Sequence, residues 1–327
     1  MERLQAAMTA RATLKGWAEG RELVELVRAA HRAGWLDQLR SGATVEKLAA
    51  QGVPAERVRS VLDLLVAAGV AEAEADTFRL TPAFDALVEG GEGITLSSTL
   101  EAVDLASNRI ALATEPVVPG FTPAEALVLA RDWGVGPTED ARQLYRVIYE
   151  ALPEFRDRLE QGGPLLDVGS GKGGALLTTL TAFPGLRAVG VESVPEVIEE
   201  TRRRAENAGV ADRVELRAID ARDLKDVSEF AVCYWAQAFF ATEARAGTLA
   251  RIFDALRPGG LLLVQEILPQ QAEPTVRVRL DLLFHRQQGT DFGRSAEALA
   301  EELSAAGFAD PRIAATPAGR LVLAKKP

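Results

Sequence analysis

The ten residues Leu165-Leu166-Asp167-Val168-Gly169-Ser170-Gly171-Lys172-Gly173-Gly174 constrain this chain more than any other stretch. An apolar strand carrying an acid runs into a turn with glycine at alternate positions, and the helix-forming run Ala175–Leu180 follows at once. Glycine lets the backbone curl and lets a ligand approach it, while a helix N-terminus presents free N–H donors. Two further acids close apolar strands: Glu192 after Ala188–Val191, and Asp220 after Val214–Ile219. Acids at three strand ends of one α/β unit describe a pocket for a nucleoside. Glu192 stands about 20 residues beyond Gly173, where a dinucleotide-binding fold also places an acid. The alternating glycines do not follow that fold's G-x-G-x-x-G pattern, however, and a pyrophosphate would be repelled by a carboxylate as close as Asp167. A cationic nucleoside without phosphate suits the lining.

Around this motif the chain alternates strand and helix. Strands are expected at 165–168, 187–191, 213–219, 230–235 and 261–266, with helices at 173–183, 195–208 and 241–256 between them. Such alternation specifies a Rossmann-like, doubly wound parallel sheet. Two last strand-like runs, 312–315 and 320–323, flank Thr316-Pro317-Ala318-Gly319 and predict an antiparallel hairpin at the sheet edge. The front of the chain is mainly helical. Helices are expected at 21–31, 44–51 and 55–68, followed by short strands at 70–72 and 77–80 around the turn 73–76. The expected division is therefore 1–92, a helical linker 93–162 broken at Pro116–Gly120, and 163–327 after Gly162-Gly163-Pro164.

Composition narrows the function. The 37 basic against 47 acidic side chains argue against general affinity for nucleic acid or anionic membrane. Helix, turn, helix and hairpin at the front suggest a winged helix. Yet between Ala43 and Thr81 four bases (Lys47, Arg57, Arg59, Arg79) face six acids (Glu46, Glu56, Asp63, Glu72, Glu74, Asp76), so DNA is not its expected partner. No apolar run approaches the ~20 residues of a membrane span. Met1–Gln5 lacks the features of a signal peptide, and the lone Cys233 fits a reducing cytoplasm. Two histidines, His31 and His285, cannot build a multi-histidine metal site, so no metal is expected.

The order Asp-x-Gly-x-Gly-x-Gly resembles the S-adenosylmethionine (SAM) methyltransferases. With the winged-helix-like front, and Arg257-Pro258-Gly259-Gly260 before the strand Leu261–Glu266, nearly the whole chain is similar to the small-molecule methyltransferases of plant phenolic and bacterial natural-product pathways. The resemblance implies SAM as cofactor, a small-molecule acceptor and a homodimer formed through the front domain. It assigns Asp167, Gly169 and Gly171, in the turn that Gly173 completes, to the methionine end. Glu192 goes to the ribose and Asp220 with Ala221 to the adenine, while Trp235 and Gln237 fall near the cofactor. Core packing is an equal account of Trp235, and Phe239 is pocket wall or core.

One departure stands out. O-methylating relatives carry a histidine after the fourth strand as general base, and here the stretch Tyr234-Trp235-Ala236-Gln237-Ala238-Phe239-Phe240 has none. A positioned base contributes about 3–5 kcal/mol, against about 7–11 kcal/mol from orienting the acceptor. Transfer therefore survives its loss, most easily to an amine, an enol or an ionised carbon acid. The replacement candidates are Glu266, which matches a carboxylate flanking the family's base, and His285. On a helix, Asp281, Phe284, His285 and Gln288 share one face that would line the acceptor pocket, with Asp281 orienting the imidazole. A helix-surface His–Asp pair without a catalytic role is the competing reading. A SAM-binding enzyme that performs cyclisation, decarboxylation or hydroxylation is the alternative function.

Overall fold

The computed structural model describes residues 1–91, 93–269 and 273–327. Residue 92, where the first expected boundary falls, lies outside the described residues. The chain divides into two compact units, 1–91 with 95–100, and 92–94 with 101–327.

The first unit begins with α1 (Glu2–Arg32), α2 (Trp35–Arg40), α3 (Val45–Ala49) and α4 (Ala55–Ala67). A hairpin of β1 (Ala71–Glu74) and β2 (Thr77–Leu80) follows, then α5 (Pro82–Glu89) and the start of α6 (Leu96–Ile110). Gly34, at φ +70°, separates α1 from α2, and the Thr44 hydroxyl caps α3 by accepting from Lys47 N. Leu36, Leu39, Leu48, Leu62, Leu65 and Phe78 form the core. Helix α1 starts 19 residues earlier than apolar spacing suggests, because its first two-thirds is exposed and carries no buried stripe. The hairpin turn is also tighter than expected: Glu74 pairs with Thr77, leaving only Ala75-Asp76 to turn, with Ala75 in the left-handed region.

The second unit continues through α7 (Pro123–Trp133), α8 (Glu139–Glu150) and α9 (Pro153–Glu160) into β3 (Leu165–Val168), α10 (Gly174–Ala182), β4 (Ala188–Glu192) and α11 (Pro195–Asn207). Then come β5 (Val214–Ala218), β6 (Phe230–Trp235), α12 (Thr242–Ala255) and β7 (Leu256–Gln265). The remainder is α13 (Val276–Arg286), α14 (Ala296–Ala305), β8 (Ala309–Thr316) and β9 (Gly319–Lys325). Seven strands make one sheet in the order β5-β4-β3-β6-β7-β9-β8, parallel except for the C-terminal hairpin, as the pattern predicted. Arg257–Gly260 is a correction: it lies within β7 as an irregularity, where the register against β6 jumps from Phe230–Leu256 to Val232–Leu261.

Alternation along the strands sorts side chains to two faces. Leu166, Val168, Cys233, Trp235, Leu262 and Val264 pack in one core, and Leu165, Val232, Leu261, Leu263 and Leu321 in the other. Asp167 and Tyr234 share the second face, under α8, α9 and α10. β3 is flanked by β4 on one side and β6 on the other, so the crossovers leave it in opposite directions. In doubly wound sheets the crevice outside such a switch point is where ligands bind.

Candidate cofactor and acceptor site

The carboxyl end of β3 opens into a cavity of about 750 Å³. The alternating glycines build its floor for distinct reasons. Gly169, Gly171 and Gly173 all have positive φ, at +77°, +53° and +77°. A Cβ on Gly169 would come within 2.8 Å of the Phe240 ring, and one on Gly173 within 2.7 Å of Thr201. Only at Gly171 of these three is the space open. Gly169 and Gly171 line the cavity, whereas Gly173 serves the close approach of α10 to α11. The turn is fixed from below: Gly169 N and Ser170 N donate to Val191 O, and the Thr201 hydroxyl donates to Gly171 O at 2.7 Å.

Asp167, Glu192, Asp220 and Ala221 all line this one cavity. Asp167 is 2 % exposed, and its Oδ1 is buried without a hydrogen-bond partner. Burial, with the charge of Glu192 adding to it, pushes its carboxyl up to about 7. Glu192 accepts from Ser193 Oγ and Val194 N through Oε1, which leaves Oε2 available. Asp220 is paired with Arg222, and its carboxyl is held below its ordinary value by that guanidinium.

Several lining residues escaped the sequence reading. Tyr145, Tyr149 and Tyr234 surround Asp167 electrostatically, and all three phenols are pushed up mainly by burial. Tyr149 shares a 2.7 Å hydrogen bond with Thr179. The i, i+4 spacing of Tyr145 and Tyr149 was a visible signal, but nothing local tied α8 to β3. Lys172, inside the motif itself, is also buried; its ammonium donates to Gly93 O and Arg131 O, and burial lowers it to about 8. It ties the chain at 131–136 to the glycine turn, helped by Arg204, which donates to Lys172 O and Val135 O.

The cavity wall also carries the rings of Phe121, Trp133, Phe239 and Phe240, with Leu129 and Ile267. Trp133 and Phe239 meet edge to face at 5.5 Å, while Arg109 lies 4.7 Å over Phe121 and fixes it through the Pro119 and Gly120 carbonyls. Phe239 is thus pocket wall. Trp235 and Gln237 do not line the cavity. Trp235 is fully buried against Phe240, and Gln237 donates to Gln265 O from beneath.

The expected catalytic group is not assembled. His285 is buried and stacked on Phe292, with ring centroids at 3.6 Å and planes 1° apart. Burial drives its imidazole down to about 4. Asp281, expected to orient it, is paired instead with Arg277 on the same helix. Phe284 and Gln288 also stand off the lining, although Phe284 backs Phe121 at 5.7 Å, and the Gln288 amide nitrogen is buried without a partner. Glu266 accepts from Ala296 N and from Arg320, which also holds Glu297. Its fully buried carboxylate therefore ties β7 to α14 and β9, and has no free oxygen to serve as a base. Among the described residues that line the cavity there is no histidine.

The residues fit a cationic nucleoside. A partnerless buried carboxylate calls for a cation, Oε2 of Glu192 can take a diol, and Gly171 leaves room for close approach. Fold and site together define the class: a Rossmann-like unit whose cavity suits a cationic nucleoside such as SAM.

Residues 165–260 match the methyltransferase domain family. The chain is 27 % identical over 163 residues to erythromycin 3''-O-methyltransferase of Saccharopolyspora erythraea, covering 47 % of this chain and 53 % of that one. It spans about half the length of the curated relatives it matches, 53 %, 62 % and 48 % for three of them. Its fold is similar to that of human N-acetylserotonin methyltransferase in complex with SAM, with 20 % identity, TM-score 0.71 and 97 % of each chain covered. A mitomycin 7-O-methyltransferase has TM-score 0.68 at 21 % identity, with 98 % of this chain and 99 % of that one covered. Residues 165–260 thus match a methyltransferase domain, and the fold of the chain is that of solved methyltransferases such as these two.

Proposed function

We propose that this protein transfers a methyl group from SAM to a small planar acceptor of natural-product type. The observation that carries the reading is the buried, partnerless Asp167 carboxyl in a cavity shared with Glu192 and Asp220. In it Asp167 receives the ammonium group, Glu192 the ribose hydroxyls, and Asp220 with Ala221 the adenine. The cofactor supplies an electrophilic methyl on a sulfonium. Phe121, Trp133, Phe239 and Phe240 sandwich the acceptor, exclude water and hold its nucleophile in line, a contribution of about 7–11 kcal/mol. With no histidine among the described lining residues, the acceptor is one that needs little help to lose a proton: an amine, an enol or an ionised carbon acid.

Incubation with methyl-labelled SAM and planar aromatic amines, enols and phenols tests this. Label is expected in the amine or enol products. Altered acceptor with SAM intact would instead favour cyclisation, decarboxylation or hydroxylation, the reading that the absent histidine also permits. Replacing His285 by glutamine is expected to leave turnover within about threefold, because a ring off the lining cannot supply the 10²–10⁴ of a positioned base. A loss beyond tenfold at unchanged SAM affinity would restore His285 as the base.

The N-terminal unit, winged-helix-like in its helices and hairpin, is the proposed dimerisation surface. Leu4, Met8, Leu14 and Trp17 stand exposed on α1, and a second copy would cover them. No helix among the described residues is long and apolar enough to cross a membrane. A reducing cytoplasm suits the single, buried thiol of Cys233.

A further inference from the structure

We infer that Asp167 is protonated in the empty site and gives up that proton as the cofactor's ammonium group arrives, so that it selects the cofactor by exchanging one cation for another. The inference rests on the cofactor reading above.

The geometry leaves the carboxyl little choice. It is 2 % exposed, Oδ1 meets no donor, and a buried carboxylate without donors or a cation stays neutral. The one charge that acts on it, Glu192 on β4, disfavours a second negative charge. The other titratable groups around it, Tyr145 and Tyr149 on α8 and Cys233 and Tyr234 on β6, are kept neutral by burial and bring no cation. The nearest cation of the turn, Lys172, is committed to the Gly93 and Arg131 carbonyls. An ammonium brought to Oδ1 reverses the balance: the O–H proton leaves to solvent and the carboxylate accepts from N–H. The empty-site carboxyl titrates at about 7, so the exchange falls within the working range of pH.

Calorimetry in two buffers of different ionisation enthalpy counts the protons. Near pH 7, SAM is expected to release about half a proton per site, with affinity falling close to tenfold per unit as pH drops below about 6. Above about 8 affinity falls again, as the cofactor's own amino group loses its proton. S-Adenosylhomocysteine keeps the ammonium and should behave alike. 5′-Methylthioadenosine lacks it and should bind with no proton released and no slope. Asp167→Asn should bind SAM more weakly and without the acidic limb, while its affinity for methylthioadenosine is unchanged. SAM binding in the wild-type protein with no proton released would overturn the inference, and that arm needs no variant. Failure of all three nucleosides to bind would overturn the cofactor reading instead.

Discussion

Replacing Arg245 by methionine is expected to lower stability by about 3–5 kcal/mol, the cost of stranding one member of a buried ion pair. Arg245, on α12, has a side chain only 3 % exposed. Its Nε and one terminal nitrogen bond the two oxygens of Glu302 on α14, at 2.8 and 2.5 Å. The other terminal nitrogen donates to Gln237 O at 2.6 Å, and the guanidinium lies 4.7 Å over the Trp235 ring. Methionine fills the volume but leaves the Glu302 carboxylate and a buried carbonyl without donors. The double change Arg245→Met with Glu302→Leu should recover most of the loss, since removing both charges also removes their desolvation. Urea unfolding followed by circular dichroism reads both; a single-variant loss under about 1 kcal/mol would contradict this account. The same network holds residues 236–240, so the double variant also tests whether Phe239 and Phe240 keep their place in the cavity wall.

Glu192→Ala is expected to weaken SAM binding at least about 100-fold. Charge-assisted bonds from two ribose hydroxyls contribute about 1.5–3 kcal/mol each, and 1.4 kcal/mol is a factor of ten. Because Glu192 also accepts from Val194 N, alanine could disturb the turn before α11. Glu192→Gln keeps that acceptor but turns the free oxygen into an NH2 donor and removes the charge, with a loss of at least about tenfold expected. Calorimetric titration with SAM measures both. Undiminished affinity in the two variants would remove Glu192 from the ribose and refute the placement of the cofactor along β4.

The architecture was readable because its signals are local. Glycine at alternate positions after an apolar strand fixes a turn; the alternation of strand and helix that follows fixes a parallel sheet. Pro317-Ala318 between two short strands fixes the terminal hairpin. Even here the long exposed start of α1 gave no periodic signal, and Arg257–Gly260 bulges inside β7 between the pairs Phe230–Leu256 and Val232–Leu261 instead of preceding the strand.

The residues of the site divide differently. Asp167, Glu192, Asp220 and Ala221 sit at strand ends, and a parallel sheet gathers strand ends on one edge, so the chain order itself brings them to one cavity. The absence of a histidine after β6 was likewise plain in the sequence. Tertiary packing alone decided the rest. It stacked His285 against Phe292, 7 residues away in sequence and beyond the helix that had seemed to present it. It paired Asp281 with Arg277, and gave both oxygens of Glu266 to Arg320, 54 residues on. It also closed α8 over β3, surrounding Asp167 with phenols. Spacing along one helix or strand states which side chains can share a face; only burial, set by partners distant in the chain, states whether a carboxyl keeps its proton or an imidazole can take one.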